Sequence, residues 1–244
     1  ALAAGQAQAA SSANLDNDAL NAAEDGAQLT VDGSGTEANT YKNLTISGGA
    51  TPGAEFGKSF TITIAGGNGH TIDGEKSNEG VISAPSGNLV INGKDTDATV
   101  LKVGTNSGSV VTLNKLDVIQ GTLQVSKEGA TNKSAVDAAV INLGTAPEQP
   151  QAKAAAGAKV VLGASGSLGG KASKINVYKG SAISLSGASN ITAALKAANI
   201  NFKGGTLTIA NGQGVTLDGA VNVDAAETAT ISNSGSIILR RYIR

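Results

Sequence analysis

The stretch FTITIAGGNGHTIDG, Phe60 to Gly74, brings together the sole histidine of the chain, a glycine-rich turn before it and an acid, Asp73, three positions beyond it. Metal binding is the first chemistry such a set suggests. Calcium takes oxygen ligands, and the glycine-rich nonapeptide that binds it places an aspartate where His70 stands here. No second copy of the pattern follows. Zinc needs about three or four ligands, and with one His and no Cys the remainder would all be carboxylates. Polysaccharide elimination calls for clustered acidic calcium ligands and an Arg or Lys base. Asp73, Glu75 and Lys76 fall in a single turn, and the arginines stand far off at Arg240, Arg241 and Arg244. Glycoside hydrolysis needs two opposed carboxylates, which linear spacing does not place. The stretch therefore reads as a corner between strands: Asn68-Gly69 turns the chain, His70 and Thr71 lead into a strand, Ile72 points inward and Asp73-Gly74 turns it again. No catalytic residue, metal ligand or cofactor is expected.

The elements that hold this corner follow from composition. The chain has 244 residues, with 33 Gly, three Tyr, three Phe and no Cys, Met or Trp. A pocketed enzyme ordinarily fills its interior with large rings; here Val, Ile, Leu and Ala must do so. That favours a thin interior of many equivalent layers. Basic and acidic residues number 18 and 19 and are scattered, so no basic stripe for nucleic acid exists. No apolar run approaches the roughly 20 residues of a spanning helix. The small, polar opening ALAAGQAQAASSAN reads as what signal-peptide removal leaves, so a secreted or cell-surface location is expected.

Residues 1–28 differ from the rest. Leu15, Ala19, Leu20, Ala23 and Ala27 recur at roughly helical spacing, with Asn14 as N-cap and Gly26 near the stop. A short helical or extended cap is expected there. From Leu29 to Leu239 short apolar-x-apolar units take over, among them LTI at Leu44, ITI at Ile62, LDV at Leu116, INL at Ile141, INV at Ile175, INF at Ile200 and VNV at Val221. Helical periodicity otherwise persists only near Ala193–Ala198 and in PQAKAAAGAK. Units this short are poor hairpin strands and suit a solenoid, three to a coil of roughly 20–25 residues. A β-sandwich also gives short alternating strands, with turns about every 8–12 residues. The closer spacing after Ile175, about six to nine residues, favours the solenoid. The segment 144–157, GTAPEQPQAKAAAG, interrupts the rhythm and reads as an excursion loop; residues 240–244 form a basic tail.

With that rhythm in view, ITIAGGNGHTIDG and the later GGTLTIANGQGVTLDGAVNV resemble coils of right-handed parallel β-helix proteins, in particular bacterial autotransporter passengers and surface adhesins. The resemblance implies an all-β parallel β-helix, the β-solenoid, over Leu29–Leu239, to which the helical spacing of residues 1–28 adds a short N-terminal helical cap. It bears on architecture and not on activity. The C-terminal membrane barrel of autotransporters, with its strands of about ten alternating residues, has no counterpart in this sequence.

The threonine pairs Thr61/Thr63, Thr206/Thr208 and Thr228/Thr230 do not recur coil after coil, as an ice-binding array requires; threonine suits the outer side of strands. Asn43, Asn132 and Asn190 head glycosylation sequons. At the C-terminal end, Ile237, Ile238 and Leu239 read as an open strand edge flanked by Arg240, Arg241 and Arg244. The acids Asp16, Asp18, Glu24 and Asp25 lie in the opposite terminal segment. A head-to-tail contact between the two propagates instead of closing. The expected function is thus a non-enzymatic, exported structural solenoid, forming a filament, sheath or layer or serving as an adhesin stalk. Its expected partners are copies of itself and surface glycans. The rivals are a carbohydrate-active β-helix enzyme and a trimeric carbohydrate-binding spike.

Overall fold

The computed structural model describes residues 10–11, 20, 22–31, 40–42, 45–46, 54–66, 70–73, 80–104, 108–126, 133–148, 157–187, 190–225, 227–228 and 230–240. At 10–11, 29–31, 40–42, 45–46, 66, 73 and 231–233 it describes the backbone alone. The chain is an all-β parallel solenoid of about six turns. One coil runs Thr192–Leu195, Asn199–Lys203 and Thr206–Ile209. Gly214–Leu217 then stacks in register on Thr192–Leu195, 22 residues on. This coil thus presents three strands, and each pairs in parallel with its equivalents in the coils on either side.

Alternation drives this arrangement, because successive side chains of a strand point to opposite faces. On the first face Ile62, Leu89, Leu116, Ile141, Ile175, Ile200 and Val221 stack in register, each at most 3% exposed. Leu101, Leu123, Val160, Ile183 and Leu207 do the same on the second. Ile82, Val111, Val136, Leu168, Leu195 and Leu217 line the third. Full burial of such a side chain is worth about 1.5–3 kcal/mol, an upper figure because the unfolded chain is itself partly compact.

Space is made in this bore for the ring of Phe60. Phe56 and Phe60 meet edge to face, 5.7 Å between ring centres. Gly87 lies one rung from Phe60 in register, and a Cβ there would fall 2.3 Å from the ring. Gly144, at φ +81°, turns the chain off the first face, where any side chain would also strike Ser181.

Several expectations change. Leu20 and Ala22 are helical and Leu20 is buried in the core, but Ala27 already opens the strand Ala27–Val31. The pairing of Ala10–Ser11 with Leu29–Thr30 makes part of the N-terminal segment β. Leu15 and Ala19 lie outside the described residues. Thr192–Leu195 is a strand with Ala193 buried, so tertiary stacking overrides the helical spacing there. Coils reach 27 residues between Leu89 and Leu116. Minimal units also fuse: Val110–Val125 is one 16-residue strand that bends around all three faces. Ile141 to Ile175 spans 34 residues, against 25 for Ile175 to Ile200.

Candidate functional site

His70 is the first residue of the strand His70–Asp73 and stands in register with Leu101, 1% exposed. It thus belongs to an inward ladder, one step further inside than a residue leading out of a corner. Burial holds its pKa below the ordinary 6.5, so the ring is neutral at pH 7. Asn68, Gly69, Gly74, Glu75 and Lys76 lie outside the described residues. Among the described residues no group of three or more His, Asp or Glu is placed to hold a metal ion.

The terminal residues are divided by the fold. Ser236–Leu239 pairs with Gly214–Leu217 on one side, and among the described residues nothing pairs with its other edge. Ile237 packs on the core, while Ile238 and Leu239 are 58% and 44% exposed. Arg240 Nε lies 3.3 Å from Asp218 Oδ1, an ion pair within the chain. Of the acids, Glu24 is exposed. Asp25 accepts 2.8 Å bonds from the Ser59 N–H and hydroxyl, which hold its pKa below the usual value. Asp16, Asp18, Arg241 and Arg244 lie outside the described residues, as do Asn43 and Asn132. Asn190 is exposed, at φ +61°. Thr63 and Thr208 stand on different faces, so the threonine pairs form no common plane.

A feature that the apolar count passes over runs up the first face. Asp117, Asn142, Asn176, Asn201 and Asn222 stack in register on its outer side. Asn142 Nδ2 donates to Asp117 Oδ1 at 2.8 Å, Asn176 to Asn142 at 2.8 Å, Asn201 to Asn176 at 3.0 Å and Asn222 to Asn201 at 2.9 Å. The signal lies in the middle letters of LDV, INL, INV, INF and VNV, the first-face unit of each successive coil.

The lower end of this ladder opens into a groove of about 520 Å³. Thr63, Val90, Asp117 and Asn142, in register on four successive coils, line it. Gly144, Thr145, Ala146 and Tyr178, where the excursion leaves the coil, also line it. Lys115 Nζ sits 3.4 Å from Asp117 Oδ2. Burial, helped by the charges of Glu148 and Asp117, pushes the Tyr178 phenol pKa up, and Lys203 Nζ lies 5.7 Å from the centre of its ring. Asn92 contributes a buried amide oxygen with no hydrogen-bond partner among the described residues. The groove thus offers paired acceptors and donors, one aromatic ring and little net charge.

No protein-family model matches the chain, and neither a curated protein nor a solved structure matches it. Among the described residues no helix is long and apolar enough to cross a membrane. The third face carries one further perturbed group. Asp137, in register with Thr112, has its pKa raised by burial, against the opposing pull of the Ala138 N–H and the Ser173 hydroxyl.

Proposed function

We propose that the chain is a non-enzymatic, exported structural protein: a stiff solenoid that associates end to end with copies of itself into a filament, sheath or layer. The observation that carries this reading is the last rung. Its strands Ala220–Val223, Thr230–Asn233 and Ser236–Leu239 pair on one side only among the described residues. Val223, Ile238 and Leu239 there are 41%, 58% and 44% exposed. Unpaired N–H and C=O groups beside exposed apolar side chains make a template for strand addition. Addition of a rung satisfies the backbone and removes the apolar groups from water in one step.

Charge contributes less to this contact than apolar and backbone groups do. Arg240 is engaged by Asp218, and Asp25 by Ser59, which leaves Glu24 as the described, exposed acid of the proposed acidic end.

Light scattering and negative-stain microscopy of the purified chain test the proposal. Concentration-dependent linear growth is expected, and deletion of Ser236–Arg244 is expected to abolish it while circular dichroism keeps its β signal. A chain that stays monomeric at high concentration overturns self-assembly and leaves the adhesin stalk as the reading.

A further inference from the structure

We propose that the groove beside Asp117 and Tyr178 is a binding site for an uncharged oligosaccharide of about two to three rings. This site is independent of end-to-end association, since it lies on the first face, several coils away from the last rung.

Size comes first. The cavity of about 520 Å³ falls inside the roughly 300–1,000 Å³ of small-molecule sites. Its lining from Thr63 to Asn142 crosses three coil-to-coil steps. At about 4.8 Å per step that is roughly 14 Å, the reach of a short oligosaccharide rather than of a single ring.

Chemistry narrows the class. The lining mixes hydroxyls, amides, a carboxylate and an ammonium with a flat phenol, and it lacks the continuous apolar wall that a lipid or drug-like molecule prefers. A sugar presents the complement: vicinal hydroxyls that donate and accept at once, and C–H faces that lie against an aromatic ring. Asp117 accepts only, and Lys115 donates only. Held 3.4 Å apart, they form a donor–acceptor pair of the kind that two neighbouring hydroxyls bridge. Tyr178 supplies the apolar body and a polar tip.

Charge excludes acidic sugars. The lysine that lines the groove is neutralised by Asp117, and Glu148 adds a further negative charge close enough to raise the Tyr178 pKa. Among the lining residues a uronate would meet one carboxylate and one ammonium already paired with it, so no lining cation is left to hold it. Order favours binding as well. Asp117 is held by Asn142, and Asn142 by Asn176, so these groups lose little freedom when a ligand arrives.

The test is an amide-shift titration of the full chain with triacetylchitotriose, cellotriose, maltotriose and mannotriose, with trigalacturonate as the acidic comparison. At least one neutral trisaccharide is expected to give saturable shifts concentrated at Lys115–Ile119, Asn142–Ala146 and Tyr178. Tyr178→Ala, and separately Lys115→Ala, should weaken that binding about tenfold or more. Asn222→Ala, in the same ladder but outside the groove, should leave it unchanged. The proposal is overturned if none of the four neutral sugars shifts the groove by about 10 mM, or if the shifts centre on another face. It is equally overturned if trigalacturonate binds as tightly, or if Asn222→Ala weakens binding as much as Tyr178→Ala does.

Discussion

Asn142 Nδ2 donates to Asp117 Oδ1 at 2.8 Å, and that bond sets the direction of every amide above it. A carboxylate accepts and does not donate. Asn142 must therefore turn its NH₂ toward Asp117 and its oxygen toward Asn176, and the choice repeats to Asn222.

Interior and terminal members of this ladder should differ in worth. Asn176→Ala strips a partner from both Asn142 and Asn201 and is expected to cost about 1–3 kcal/mol. Asn222→Ala removes an end member and should cost under about 1 kcal/mol. Urea unfolding of the two variants measures the gap; equal costs would mean that the ladder does not act as a chain.

Inward and outward positions should separate sharply. Ile183 and Leu207 are fully buried in one ladder, so an aspartate at either should cost several kcal/mol. Thr208→Asp, at an exposed neighbour of Leu207, should cost about 0.5 kcal/mol or less. Thermal melts of the three variants check the alternation.

Asp137 makes stability fall as pH rises. Its folded pKa lies above the ordinary 3.8, so between those two values the folded chain holds a proton that the unfolded chain releases. The contribution is complete below about 3.8 and is lost on passing upward through the folded value. Asp137→Asn removes it. The stability of wild type relative to this variant should decline with pH across that window, and a flat difference would contradict the assignment.

His70 acts in the opposite sense. Its folded pKa lies below 6.5, so the unfolded chain takes up a proton first as pH falls. Stability from this group is complete above 6.5 and declines below it, as pH drops toward the folded value. His70→Gln should flatten the loss in Tm between about pH 7.5 and 5.5. Chelator should leave Tm unchanged, because among the described residues no group of three or more His, Asp or Glu is placed to hold a metal ion.

Ile238 should control association without controlling the fold. Its side chain is 58% exposed, so Ile238→Lys leaves the coils intact while placing a charge where an added strand would dock. Sedimentation is expected to show shorter or no assemblies, with an unchanged thermal melt; assemblies of wild-type length would place the contact elsewhere.

The solenoid was legible because it rests on one local rule, alternation repeated many times. Ile62, Leu116, Ile141, Ile175 and Ile200 announce themselves as first members of apolar-x-apolar units, and all five are buried in one ladder. Coil length was less legible. Corners such as Gly121 turn the chain without breaking the Val110–Val125 strand, so strand ends and corners do not coincide. The groove was hidden for another reason. Asp117 and Asn142 are 25 residues apart, and only the stacking register brings them together with Tyr178. The asparagine signal is present in every coil from Ile141 onward, but it occupies the outward letter of a unit whose apolar letters define the core. His70 opens its strand as the sequence suggests, and alternation with the inward Ile72 gives it a buried position although a polar residue at a strand start looks like turn material.

The amide ladder also gives the rod a sense of direction. Each amide dipole lies the same way along the stack, from Asp117 at one end to Asn222 at the other, and the last bond leaves Asn222 Oδ1 pointing past the final rung with no hydrogen bond among the described residues. A rung laid on this end must bring a donor to that position, whereas the other end of the rod carries no member of the ladder, since Asp117 is followed in register by Val90 and Thr63. The two ends are chemically unlike, so a fibre grown by stacking has a distinguishable head and tail, and an inverted copy, which would oppose oxygen to oxygen at Asn222, is rejected at the first contact.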